Sequence, residues 1–169
     1  MPRRIFLTLA LLLVLAPPVA AQEIRPFVSG SIKEITTARQ GRPFILGLWS
    51  LTCVHCREEL SLLSALAKKH PKLDLVLVAA DTPEESEAIG ATLRQFGLGG
   101  AEAWVFADPF SERLRFEVDR KWHGELPRTY FYDPAHAVTA TSGKLDRQKL
   151  ELWMNKHFGR DTPGRHAAI

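Results

Sequence analysis

Two cysteines, Cys53 and Cys56, stand apart from everything else in this 169-residue chain because only Val54 and His55 separate them. A bond closing so short a loop removes little chain entropy, since even a fifteen-residue loop gives only about 3 kcal/mol. The pair is therefore better explained by chemistry than by stability. Cys53 falls where an apolar run ends and a helical pattern begins, so unpaired N–H groups and the positive end of the helix dipole would favour its thiolate. That makes Cys53 the candidate nucleophile. Cys56, one turn further in, is expected to be more buried and to resolve a mixed disulfide by attacking it. His55, if protonated, would stabilise the thiolate further and make the disulfide a better oxidant.

The same residues bear on other chemistries for the pair. A c-type haem site needs a histidine directly after the second cysteine, and position 57 is Arg57. A structural zinc site needs two further ligands at matching spacing, and there is no second cysteine pair. Soft thiolates suit Cu(I), so a copper carrier using Cys53, Cys56 and His55 or His123 stays open as a non-enzymatic alternative.

The elements that must position these residues are legible in the pattern. Phe44 to Trp49 is a continuous apolar run and reads as a buried strand. A helix is predicted from Val54 to Lys69, with Leu60, Leu63, Leu66 and Ala67 at helical spacing and Pro71 ending it. Leu73 to Ala80 reads as a second buried strand. Pro83 starts a helix carrying Ile89, Leu93 and Phe96 and closed by Gly97. Trp104 to Ala107 is a third strand, followed by a helix from Ser111 to Trp122. Strands at Thr129 to Tyr132 and Ala137 to Thr141 precede a last helix from Asp146 to Phe158, with Leu150, Trp153 and Met154 inward. Early alternation and a late hairpin predict an α/β chain with a mixed sheet.

Composition and the N-terminus set the environment. With 46% hydrophobic residues, 24% charged residues and two cysteines, the chain is neither disordered nor a disulfide scaffold. Its net charge of +3 comes from 22 basic residues against 19 acidic ones, with no basic run, so no nucleic-acid partner is expected. Arg3 and Arg4, the apolar run Ile5 to Ala16, Pro17, Pro18 and the small residues Val19 to Ala21 read as a secretory signal peptide over residues 1–21, cleaved after Ala21. An uncleaved membrane anchor is the weaker reading, because the prolines cut the run short of about 20 apolar residues. Residues 22–159 are expected to form one domain and 160–169 a disordered tail. Without Arg3 and Arg4 the charge of +3 falls to +1, so the basic balance carries no message. In an oxidising compartment the two cysteines are expected to pair.

Phe44 to Glu59 (FILGLWSLTCVHCREE) together with Gly124 to Asp133 (GELPRTYFYD) resembles the thioredoxin superfamily, and within it the exported TlpA/ResA-like thiol-disulfide oxidoreductases. The match runs from about Gly30 to Phe158. It rests on the Trp49-to-Cys53 spacing, the CVHC motif and a proline 74 residues after Cys53 that opens a strand. The resemblance implies a thioredoxin-like fold with a central mixed sheet flanked by helices and an extra strand and helix, about Trp104 to Trp122, before that proline. It makes Pro127 the counterpart of the family's cis-proline, although an X-Pro bond taken blind is cis only about 5–6% of the time. It places the Leu126 backbone beside the Cys53 sulfur, where an extended substrate could pair with it. Trp49 matches the family's tryptophan before the motif, as packing and a partial shield over Cys53.

Where thioredoxin keeps a buried aspartate, six residues before the first cysteine, this chain has Gly47. Glu59 matches an active-site glutamate of ResA-like proteins; partial burial would raise its pKa towards the range of a general base for Cys56. The plainer alternative is a solvated charge near the helix start, as expected for Glu58. Trp122 and His123 could border the site, whereas His70, His136 and His157 read as surface or helix-end residues. No bound cofactor or metal is required. The resemblance implies a periplasmic monomer exchanging disulfides with protein thiols and supplied with electrons by a membrane thiol-disulfide transporter. It favours a reductant, for example of apocytochrome c or copper-protein cysteines; His55 argues for the alternative, a DsbA-like oxidant. An isomerase is disfavoured because no dimerisation domain is present.

Overall fold

A computed structural model describes residues 22–159. The expected signal peptide, its cleavage after Ala21 and the 160–169 tail lie outside the described residues. The elements run β1 (Ile24–Phe27), α1 (Ser31–Thr37), β2 (Phe44–Trp49), α2 (Val54–Lys69), β3 (Asp74–Ala79), a 3₁₀ turn (Pro83–Glu85), α3 (Ser86–Gln95), β4 (Glu102–Phe106), α4 (Ser111–Val118), β5 (Arg128–Tyr132), β6 (Val138–Ser142) and α5 (Arg147–Phe158).

Six strands form one sheet in the order β1-β4-β3-β2-β5-β6. β1, β4, β3 and β2 are parallel, and β5 and β6 add antiparallel. This is the expected mixed sheet, and β4 with α4 is the strand and helix anticipated before Pro127. β2 is buried along its whole length because both of its faces are covered, which is why it reads as an unbroken apolar run rather than an alternation.

Successive side chains of each strand go to opposite faces. Ile45, Trp49, Leu75, Leu77, Ala103, Val105 and Phe131 meet Leu60, Leu63 and Leu66 of α2, Ile89 and Leu93 of α3, and Leu150 and Met154 of α5. Phe44, Leu46, Leu48, Val76, Val78, Trp104, Phe106, Tyr130 and Tyr132 meet Ile35 of α1, Leu114 of α4 and Trp122. At about 1.5–3 kcal/mol for each fully buried large aliphatic or aromatic side chain, these two layers supply the driving force of the fold.

The sequence pattern missed β1 and α1. β1 is four residues long and contains Pro26, tolerable because β1 is an edge strand paired only to β4. Boundaries also differ, and β4 begins at Glu102 rather than at Trp104. A 3₁₀ turn with a Thr82–Glu85 capping box precedes α3, and α4 stops at Val118 rather than at Trp122. There Asp119 is extended and is held by Arg128 at 2.7 Å. β6 is displaced by one residue from the expected span. His136, expected at the surface, is half-buried: its ring nitrogen lies 2.9 Å from the Arg39 carbonyl and its ring packs edge-on against Phe44 and Tyr132.

Candidate active site

β2 carries the chain into a short turn, residues 50–52, and Cys53 then caps α2 in an extended conformation. The Cys56 N–H points at Cys53, with the sulfur at 3.2 Å and the carbonyl at 3.1 Å. Cys53 is half-buried, whereas Cys56 is 0% exposed. The two are joined in a disulfide. Reduction would leave the outer sulfur at a helix N-terminus with a backbone donor aimed at it, the setting that favours a thiolate. Trp49 is almost fully buried and lies in the same cluster as Cys56, against which Cys53 also packs, so it presents little surface. Val54 and His55 are exposed beside the disulfide.

Glu59 is not a solvated charge. It is 5% exposed, and Thr129, two residues beyond Pro127, donates its hydroxyl to Glu59 Oε1. Burial pushes the Glu59 carboxyl above the ordinary range, against the opposing pull of hydrogen bonds from Thr129 and the Leu145 backbone. Gly47 lies opposite Thr129 in the β2–β5 ladder. A Cβ on Gly47 would come within 3.1 Å of Leu77 and 3.4 Å of Leu63, so that strand position has little space for a carboxylate.

The Leu126–Pro127 bond is cis. Leu126 packs against both core layers, and Pro127 is buried with its carbonyl accepting the Gly143 N–H at 2.8 Å. Arg128 braces the same loop, bonding Asp119 at 2.7 Å and Ser142 at 2.5 Å. A cleft of about 840 Å³ opens between this loop, α2 and the start of α5. His55, Glu58, Glu59, Leu62, Leu126, Pro127, Lys144 and Arg147 line it. Lys144 reaches Glu58 across the mouth at 3.6 Å, with both side chains exposed.

The fold thus brings His55, Glu59, Leu126 and Pro127 into one cleft; Cys53 and Cys56, at the start of the same helix, are not among the residues that line it, and Trp49 ends β2 in the core cluster that holds Cys56. Trp122 is a buried core residue whose indole N–H donates to the Glu125 carbonyl at 2.9 Å, and the exposed His123 is not among the residues that line the cleft. Among the described residues, no three or more histidine, cysteine, aspartate or glutamate side chains gather in a metal-binding arrangement. Sequence reasoning passed over Thr129, Lys144, Leu145 and Asp81. Asp81 alone carried a signal, as a carboxylate directly after a buried strand and level with the cysteine turn.

Fold and site together define a thioredoxin-fold protein with a Cys-x-x-Cys disulfide at a helix start. Solved structures agree in kind with the resemblance seen in the motifs. A secreted disulfide oxidoreductase of Mycobacterium tuberculosis, described as homologous to Escherichia coli DsbE, matches with TM-score 0.56 and 20% identity over 71% of this chain and 85% of its own. A thiol:disulfide interchange protein of the thioredoxin family from Chlorobium tepidum matches with TM-score 0.57 and 14% identity, over 73% and 85%. A DsbE-type interchange protein described as putative, also from Chlorobium tepidum, matches with TM-score 0.51 and 21% identity, over 73% and 85%. No protein-family model matches the sequence, and no curated protein matches it either.

Proposed function

We propose that this chain is an exported thiol-disulfide oxidoreductase acting on protein partners, working chiefly as a reductant of their disulfides. The observation that carries the reading is the asymmetry of the cysteine pair. Cys53 is half-buried at a helix N-terminus and Cys56 is fully buried one turn further in, near a cleft lined by the same helix and the cis-proline loop. In the reducing direction, the Cys53 thiolate attacks a partner disulfide, expelling one partner sulfur as thiolate and forming a mixed disulfide. Cys56 loses its proton and attacks the Cys53 sulfur, which releases the second partner thiolate and closes the Cys53–Cys56 disulfide. Glu59 is the proposed acceptor of the Cys56 proton, because a buried carboxylate held against neutral donors has its pKa moved towards that of a general base.

The reductant direction is supported by the motif resemblance; His55, exposed beside the disulfide, is the residue that argues for the oxidant alternative. Export is supported by the N-terminal pattern and by the neighbour described as secreted. A membrane thiol-disulfide transporter is the proposed electron source, periplasmic proteins are the proposed partners, and no bound cofactor is proposed.

Insulin reduction with dithiothreitol as the final donor tests the chemistry, with Cys53→Ser expected to abolish turnover. Unchanged turnover in that variant would remove Cys53 as nucleophile. Equilibration with glutathione tests direction: a potential near about −270 mV supports a reductant, and one near about −120 mV an oxidant.

A further inference from the structure

The turn that presents Cys53 is held by a strand other than the one leading into it. β2 ends at Trp49, and the polar groups of residues 50–52 converge on a single carboxylate just past the end of β3. Asp81 is 8% exposed. Its Oδ1 accepts the Ser50 hydroxyl at 2.9 Å. The Leu51 N–H donates to both carboxylate oxygens, at 3.2 and 3.0 Å. Ser50 passes the restraint on: its hydroxyl oxygen accepts the Thr52 N–H at 3.2 Å, and its carbonyl accepts the Cys53 N–H at 3.2 Å. Two links therefore connect Asp81 to the backbone of the nucleophile, one through Ser50 and one through Leu51.

The electrostatics argue against a purely stabilising role. The donors to Asp81 are a neutral hydroxyl and neutral backbone amides, those of Leu51 and of Asp81 itself, and the charged side chain acting on it, Glu85 of the 3₁₀ turn, has the same sign. Burial foremost, with Glu85 adding to it, pushes the Asp81 carboxyl above the ordinary range, against the opposing hydrogen bonds from Leu51 and Ser50. A buried carboxylate without a cation is costly unless its geometry is needed.

We propose that Asp81 is a positioning residue for Cys53, fixing the Ser50–Thr52 turn and through it the line along which the sulfur meets a partner disulfide. Thiol-disulfide exchange needs the attacking sulfur aligned with the bond it breaks, so a turn free to shift lowers the fraction of encounters that react. Asp81 touches neither sulfur; it acts through Ser50 and Leu51. The inference rests on the oxidoreductase reading above.

The test uses the full chain, with insulin as substrate and dithiothreitol as donor. Asp81→Ala removes both links, whereas Asp81→Asn keeps an Oδ1 acceptor for Ser50 and Leu51. The alanine variant is expected to lose about 10- to 100-fold in kcat with KM within about twofold, and the asparagine variant to stay within about threefold of the parent. An alanine variant with parental kcat, or an asparagine variant as slow as alanine, overturns the assignment. Should Asp81→Ala not fold, Ser50→Ala breaks one link without touching β3, and an unchanged kcat there is equally fatal. Alkylation of reduced Cys53 by iodoacetamide needs no protein partner. A parent chain that alkylates readily yet reduces no insulin counts against the oxidoreductase reading, whereas Asp81→Ala alkylating at the parental rate counts against Asp81.

Discussion

The two ends of the sheet treat buried carboxylates in opposite ways. Where the parallel strands begin, Arg39 is sunk between α1, β3 and β4, with its side chain 6% exposed. It donates to Asp74 at 3.0 Å, to Glu102 at 2.6 Å and to the Ile35 carbonyl at 3.2 Å, and its guanidinium lies over Phe44. Arg25 adds a second cation to Glu102 at 3.3 Å. Burial pushes the Glu102 carboxyl up, but hydrogen bonds from Arg39 and Trp104 and the two arginine charges outweigh it, and the group sits below its ordinary range. Where the strands deliver the chain to the cysteines, Glu59 and Asp81 are more deeply buried and meet neutral O–H and N–H donors. Both are held above the ordinary range, chiefly by burial. One end uses ion pairs to lock elements together; the other, besides the Arg128–Asp119 pair that braces the cis-proline loop, keeps two buried proton-binding groups near a disulfide, the pattern expected of a working site.

The strongest way to break this contrast is to strip the far end of its cation. Arg39→Met leaves Asp74 and Glu102 half-buried and short of a partner, and is expected to cost about 2–3 kcal/mol in urea unfolding. Its Cys53 alkylation rate should match the parent; a comparable loss of reactivity would mean that the two ends are not independent. A smaller effect, opposite in direction, is expected at the site. Because the folded chain holds the Glu59 proton more tightly than the unfolded chain, this group's contribution to stability is greatest in acid and declines as pH rises through the folded pKa. Glu59→Gln removes that decline, so the variant should melt higher than the parent at neutral pH, with the gap closing as the pH falls into the ordinary carboxylate range. A gap that widens in acid contradicts the sign. The same variant should alter the titration of Cys56 in the reduced protein. Least consequential is Lys144→Ala, which breaks an exposed pair with Glu58 and should change stability by less than about 0.5 kcal/mol. A larger loss would show that the cleft mouth is a structural clasp.

Much of this architecture was legible beforehand. α2 begins and ends where its leucine spacing and Pro71 require, and the central strands follow their apolar runs, because burial on two faces leaves an unbroken signature. β1 and α1 escaped notice for the converse reason. A four-residue edge strand containing a proline, and a seven-residue helix entered through Gly30 at φ 89°, carry too little periodicity of their own. They exist because β4 and the Arg39 cluster receive them. Glu59 had two readings along the chain, as base or as helix-end charge. It took Thr129, seventy residues away, to show it buried and bonded.

The spacing of Cys53 and Cys56, the apolar strand before them and the helix after them determined by themselves that this chain carries a thiol pair at a strand-to-helix junction. These are local facts, set by covalent order, side-chain periodicity and the dipole of a single helix. Which carboxylates stand beside that pair was decided by the sheet. Thr129 reaches Glu59 and Asp81 reaches Ser50 and Leu51 only because β5 and β3 flank β2, and the same packing withdraws both carboxylates from water. Burial and long-range hydrogen bonds depend on neighbours remote in sequence, so the protonation behaviour of the site belongs to the tertiary structure.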